Sequence, residues 1–423
     1  MANKRIFQSR WTVAAIAIIC LPVIYGVRHS FAAFFPSILD EYHWTRGSTA
    51  FMFALNVLLY GLLAPVAGSI ADRWRPKLTI SLGILLLGMS TAACALAEEL
   101  WQFYVLFGII MSVGTAFSGA PVMIPAIANW FVSKRGTAIG IGLAGGALSF
   151  SMVTYAEYLI SAFGWRLAFV FISGTAVGIA IPLVLLFFRY RPQDQVALAE
   201  KTNTTVTSSS ENAEKTDIDG SHYGHLPVAQ ILKNHRLWLL MLSYMLFMGI
   251  ANYMIIAHQV IFFVDLGYDS LFAASVAGSV GLFAVLGTLS GFLSDWMGRE
   301  KTFTLSFVLA TISLIILLFQ KDASNPWALY VFAFCFGFPM GLHAPTIVAG
   351  AADLFYGKHF GMVNGLLLMG FGLGGAIGPW LGGYIFDATH SYSLGFIICI
   401  FAYFLACVSF WIAAPRRGAV RQM

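Results

Sequence analysis

Two short charged signatures interrupt an otherwise apolar chain, one in each half. The first reads Gly68-Ser-Ile-Ala-Asp72-Arg73-Trp74-Arg75-Pro76-Lys77. The second reads Gly291-Phe-Leu-Ser-Asp295-Trp-Met-Gly298-Arg299-Glu-Lys301. Each follows one long apolar run and precedes another. A chain that repeats its polar punctuation at half its length is most simply a duplicated bundle of membrane helices.

The apolar runs are each about 20 residues or longer, the length of helix that crosses hydrocarbon. They must be helices, because lipid offers no partner for a free backbone N–H or C=O. With 59% hydrophobic and 10% charged residues, the chain has too little charge for a soluble surface. Twelve spans are expected, near 11–37, 46–71, 77–97, 101–128, 135–161, 166–188, 236–263, 270–295, 301–319, 326–351, 358–386 and 393–414. The fold class is therefore an all-α membrane protein, with twelve transmembrane helices in two pseudo-symmetric halves. Residues 1–188 form the first six-helix half and 236–423 the second, which ends in a short tail. Between them, 189–235 reads as a polar linker, marked by Thr202 to Ser210 and by Glu211, Glu214, Asp217 and Asp219.

Lys and Arg set the orientation. Placing both termini and the loops after even-numbered spans in the cytoplasm leaves only Arg46, Arg166, Lys321 and the intramembrane Arg28, of 24 basic residues, elsewhere. Lys4, Arg5 and Arg10 precede a run too long for a signal h-region, so that run is read as span 1. The expected location is a plasma membrane, of the bacterial inner-membrane type. The net charge of +5 follows from topology and is no nucleic-acid footprint. The five cysteines (Cys20, Cys94, Cys335, Cys399 and Cys407) lie scattered inside spans, without disulfide or metal spacing. Gly140-Ile-Gly142-Leu-Ala-Gly145 has no preceding strand, so it fails as a nucleotide loop. No cofactor and no enzyme activity are expected, and the chain is expected to be a monomer.

The halves match again where Lys134-Arg135-Gly136 opens span 5 and Lys358-His359-Phe360-Gly361 opens span 11. Parallel repeated halves are the organisation of one transporter class, with the site between them near the midplane. The loop signature resembles that of the major facilitator superfamily, G-x-x-x-D-[RK]-x-G-[RK]-[RK]. The second copy is the cleaner one, and the first departs at Arg75-Pro76. This resemblance covers the whole chain and implies alternating access of two six-helix halves. Tyr25-Gly-Val-Arg28-His29-Ser30-Phe31, continuing to Pro36, looks like the bacterial branch of the monocarboxylate transporters and their oxalate/formate antiporter relatives. So do Trp44-Thr-Arg46, His258 to Gly267, and Gly378-Pro379-Trp-Leu-Gly382-Gly383. The resemblance implies a small organic anion, often moved with a proton. Several such relatives carry a cation in span 8 or 11; here Ser275–Ser294 and Met362–Phe386 contain none.

Arg28 is the deepest basic side chain. A cation at the bilayer centre costs roughly 2.5–3.5 kcal/mol even on lenient insertion scales, so it should face a cavity or a partner. It is read as an anion anchor, against a fixed pair with Glu157 of span 5. His29, about 100° around the helix, is expected on another face. Asn56 and Tyr60 share a face of span 2, and Asn252 and Gln259 share one of span 7. With His258 and His343, these complete the expected substrate-binding set. His258, His343 and Glu157 are the candidates for carrying a coupling proton. The gating candidates are Asp72 with Arg73, Asp295 with Arg299, and a bridge between Asp353 and Lys358. The glycines of span 11, from Gly365 to Gly383, are expected to permit close packing. The leading expectation is a proton-coupled secondary transporter of a small organic anion. Its rivals are a transporter-like receptor and an exporter or antiporter of another solute.

Overall fold

Proline, asparagine and aspartate set where the helices begin. The computed structural model describes residues 10–73, 75–130, 135–188, 228–355 and 360–413. No strand occurs among them. Eleven helices are long and apolar enough to cross a membrane. They are span 1 (Trp11–Tyr42), span 2 (Arg46–Ala71), span 3 (Pro76–Leu96), span 4 (Leu100–Ile127), span 6 (Trp165–Phe187), span 7 (His235–Asp265), span 8 (Ser270–Leu289), span 9 (Arg299–Phe319), span 10 (Pro326–Phe355), span 11 (Phe360–Thr389) and span 12 (Ser393–Ala413). Span 5 runs in three pieces, Arg135–Leu148, Ser149–Ser151 and Met152–Phe163. Pro76 and Pro326 stand at first helical positions, where a missing N–H costs nothing. Asn234 accepts the N–H of Arg236 at the start of span 7, and Asp269 accepts those of Leu271 and Phe272 at the start of span 8. The expected linker and Lys358 fall largely or wholly outside the described residues, with 228–233 forming a short helix before span 7.

The exterior is apolar. Met89 is 70% exposed, Leu186 71% and Phe319 78%, which is stable only against lipid. Inside the spans, Ser and Thr return their hydroxyls to their own helix: Ser30 to Gly26, Thr91 to Leu87, Thr115 to Met111 and Thr346 to Leu342. That is the available partner where water is absent. Spans 4 and 7 each contain a π-helical stretch, Tyr104–Ile110 and Met245–Asn252. Such widened turns collect at functional sites.

Among the described residues the halves meet most extensively where span 2 packs against span 11 and span 5 against span 8, with span 1 against span 7 beside them. Glycine decides how close the first pair comes. A Cβ on Gly61 would lie 2.7 Å from the Cα of Gly372, and one on Gly383 would lie 2.6 Å from the carbonyl carbon of Arg46. Backbone thus meets backbone along this crossing, as small residues allow in membranes. In the second pair, the Thr154 hydroxyl donates to the carbonyl of Ala274 at 3.0 Å.

Filling the first seam should cost stability. Gly61→Leu is expected to lower the detergent melting temperature by the equivalent of about 1–3 kcal/mol of overpacking. Gly174→Leu, where an added Cβ meets nothing within 4 Å, should leave melting unchanged. Equal melting of the two variants would refute the seam as a close-packed contact.

Candidate functional site

Arg28 is the penultimate residue of the first helical segment of span 1, and the backbone stays in right-handed helical geometry through Ser30. It is 3% exposed. Its Nη2 donates to the hydroxyl of Tyr253 in span 7, at 3.3 Å. Three tyrosine rings surround its guanidinium, with centroids 4.8 Å (Tyr60), 5.2 Å (Tyr25) and 5.9 Å (Tyr253) away. Such faces attract a cation without neutralising it. Nε and Nη1 have no hydrogen-bond partner, and the ion pairs among the described residues do not include Arg28. Glu157, the partner suggested by sequence, instead accepts from Ser161 and lies beside Ser270 at the start of span 8. Arg28 is thus a buried cation with spare donors.

Its surroundings come from both halves. The hydroxyls of Tyr25 and Tyr60 pair at 2.8 Å. The Tyr25 hydroxyl also accepts the backbone N–H of Ala120 at 2.7 Å. That N–H is free because span 4 breaks at extended Gly119, where a Cβ would press on the Tyr25 ring. Tyr253 stacks on Phe53 of span 2 and meets the edge of Phe371 in span 11.

His29 turns toward span 5, stacking on Phe150, while Arg28 lies among the tyrosines; the Tyr253 hydroxyl reaches both. The Ser149 hydroxyl donates to the carbonyl of Gly146, so it accepts from His29 Nδ1–H at 2.8 Å. His29 Nε2 is then the acceptor for the Tyr253 hydroxyl, at 3.3 Å. The chain of donors runs in one direction, from Arg28 through Tyr253 and His29 to Ser149.

Tyr60 is the other sequence candidate that joins Arg28. Asn56 turns to span 4, donating to the carbonyl of Phe107 at 2.7 Å. Asn252 accepts from Tyr403 of span 12 at 2.5 Å and so faces the interior of the second half. His343 lies there too, stacked on Phe247 at 4.2 Å and flanked by Tyr244 and Phe303. Both its ring nitrogens lack partners, as do both amide atoms of buried Gln259. His258 stands between Pro379 and Tyr392. The Pro379 carbonyl only accepts, so Nε2 carries the proton (2.8 Å), and Nδ1 accepts from the Tyr392 hydroxyl (3.1 Å).

Tyr392 leads to a clasp across the halves, on the face opposite the termini. Arg46, opening span 2, holds both carboxylate oxygens of Asp265, at 2.5 and 2.9 Å, and donates to Tyr392 at 2.9 Å. Its guanidinium lies 3.6 Å from the ring centroid of Phe386. Asp387 of span 11 takes the backbone N–H groups of Arg46 and Gly47 at 2.8 and 2.7 Å, capping span 2 from the other half. Fork geometry and helix-terminus charge both strengthen these contacts. A cavity of about 470 Å³ lies over the clasp, with Asp40, His43 and His390 also in its walls. Sequence reasoning noted Arg46 as a cation on the poorly basic face and as part of the Trp44-Thr-Arg46 resemblance; those were the available signals.

On the termini face, Arg299 holds Asp295 at 2.5 Å and Asp353 at 2.9 Å. Asp353, expected opposite Lys358, is therefore engaged by Arg299, while Lys358 lies outside the described residues. Asp72 and Arg73 close the helix of span 2.

Comparison with known proteins places these features. The family model described as Major Facilitator Superfamily matches residues 15–319 and 281–422. Monocarboxylate transporter 13 of Bos taurus is 23% identical over 394 residues, 92% of this chain and 85% of that protein. The hexuronate transporter of Escherichia coli (strain K12) is 24% identical over 440 residues, 99% of this chain and 96% of that protein. Among solved structures, a bacterial homologue of the human lysosomal transporter Spinster, inward-facing and unoccupied, aligns with a TM-score of 0.70 at 16% identity. That alignment covers 97% of this chain and 98% of the other.

If the clasp holds the halves together, removing its carboxylates should expose what lies beneath. Phe35 is fully buried there, against His258. A cysteine at position 35 should react faster with a membrane-impermeant thiol reagent when Asp265→Ala or Asp387→Ala is added. Hydrogen bonds to charged groups contribute about 1.5–3 kcal/mol, so labelling should rise roughly ten- to hundredfold. Unchanged labelling would contradict the clasp.

Proposed function

The chain belongs to the Major Facilitator Superfamily, and on that premise we propose that it moves a small, monocarboxylate-like organic anion by alternating access, coupled to protons. The protein is a multi-pass membrane transporter and not an enzyme. The observation that carries the substrate reading is Arg28, a buried guanidinium between the halves with two unpartnered nitrogens and no carboxylate partner among the described residues. An arriving carboxylate would supply the missing counter-charge, through short charge-assisted hydrogen bonds. Tyr25, Tyr60 and Tyr253 enclose the site and favour a compact solute. The names of the two relatives, monocarboxylate and hexuronate transporter, both describe carboxylic acids, which supports the same chemistry.

Orientation follows the basic residues, which put both termini in the cytoplasm of a bacterial-type plasma membrane. On that reading, the clasp of Arg46 with Asp265 and Asp387 is the outer gate, closed here. Asp72 and Arg73, and the cluster of Asp295, Arg299 and Asp353, then belong to the inner gate. The working unit is a monomer of two halves, 1–188 and 236–423, joined by the linker 189–235.

His258 is the favoured proton carrier. In its neutral form it accepts from Tyr392, whose oxygen in turn accepts from Arg46. A proton on Nδ1 turns that acceptor into a donor, so Tyr392 loses its own outlet. The new cation also faces Arg46, with Asp265 and Asp387 as the nearby carboxylates. Protonation would therefore loosen the outer gate. His343, enclosed by rings, and Glu157, at the crossing of spans 5 and 8, have no such connection to the clasp.

Two measurements test this. Arg28→Ala should abolish uptake of labelled monocarboxylates into proteoliposomes, and Arg28→Lys should retain a small fraction, while insertion stays normal. Full uptake by Arg28→Ala would sink the anchor. Wild-type uptake should rise as external pH falls, and His258→Gln, which keeps both hydrogen bonds but cannot titrate, should flatten that profile. A wild-type profile in His258→Gln would exclude it and leave Glu157 to be examined.

A further inference from the structure

A deep groove lies away from the substrate site, on the flank of the first half. Its volume is about 680 Å³. Leu78, Leu82 and Leu86 of span 3 form one wall, and Val113 and Phe117 of span 4 the other. The floor is Gly83, where an added Cβ would lie 2.9 Å from the backbone nitrogen of Ser118. Only a residue without a side chain lets the two helices approach so closely there and leaves the space above them open. Span 3 packs on spans 2, 4 and 6 of its own half, so this flank faces lipid.

One end of the groove is charged. Arg75 lines it, exposed, with its guanidinium in no hydrogen bond or ion pair among the described residues. Lys77 is two residues further on, in the first turn of the 18-residue helix Pro76–Ala93. From Arg75 to Leu86 a helix rises about 16 Å, half of the roughly 30 Å hydrocarbon core. An acyl chain of one leaflet has that reach.

We propose that this groove is a binding site for an anionic phospholipid of the leaflet on the termini side. One acyl chain lies along Leu78, Leu82 and Leu86, over Gly83. The phosphate and its anionic headgroup sit on Arg75 and Lys77. A purely apolar ligand would make no use of the two cations, and a soluble anion would leave the groove empty. The phospholipid satisfies both.

The test uses the full-length protein, purified in detergent and examined by native mass spectrometry with added phosphatidylglycerol or phosphatidylcholine. Phosphatidylglycerol should be retained in preference. Arg75→Gln should weaken its retention about fivefold, the factor equivalent to roughly 1 kcal/mol for one cation at an anionic lipid surface. Leu82→Trp fills the groove at a side chain already 55% exposed, so the fold is spared, and it should abolish retention of both lipids there. Equal retention of the two lipids would overturn the headgroup assignment. Unaltered phosphatidylglycerol binding by Leu82→Trp would place the lipid elsewhere. Protection against thermal unfolding by glycerol phosphate alone, matching that of the lipid, would reduce the site to a surface anion site and refute the acyl seat.

Discussion

A guanidinium with no counter-charge among the described residues, held between two halves of a helical bundle, is the constraint around which this structure is arranged. Hydrocarbon tolerates Arg28 only because the protein supplies a substitute for water. That substitute is three tyrosine rings, one of whose hydroxyls accepts a hydrogen bond from the arginine. The tyrosines come from spans 1, 2 and 7, so satisfying one side chain draws together elements of both halves. The break in span 4 belongs to the same arrangement, since its freed N–H is taken up by Tyr25. Partial satisfaction leaves a site that remains attractive to an anion.

The two ends of the bundle handle charge differently. On the face opposite the termini, Arg46 and two carboxylates tie the halves to each other. On the termini face, Arg299 ties Asp295 and Asp353 within a single half. The asymmetry means that the described structure is fastened across its halves by charge at the first face. His258 extends that fastening inward, through Tyr392 on one side and Pro379 on the other.

Much of this was legible in the chain. The lengths of the apolar runs, bounded by charged loops, predict the spans because backbone groups in lipid have no alternative to a helix. Arg28 stood out because it is costly where it lies. Tyr25 and Tyr253 did not, because a span tyrosine is usually glue, and only the convergence of three helices distinguishes these two. Reading His29 by helical periodicity gave it a face of its own but could not show that one tyrosine of span 7 would reach both it and Arg28. Periodicity gave Asn252 a face but could not say that Tyr403 would occupy it. The clasp was hidden for a simpler reason: Arg46 and its carboxylates belong to opposite halves and no local pattern connects them.

The contact between spans 2 and 11 has a mechanical consequence. Where Gly61 meets Gly372, and Gly383 meets the backbone around Arg46, no side chain projects from one helix into a recess of the other. Ordinary packed helices interlock like gears, and moving one past another requires each tooth to lift and reseat. This pair is smooth at those two points, with the Val57 side chain over Gly375 as a tooth between them. Motion along the smooth stretches meets little friction of its own, so much of the resistance lies in the charged clasp at the face opposite the termini. Resistance of that kind can be released by a proton or a bound anion, whereas the friction of a toothed core yields to neither.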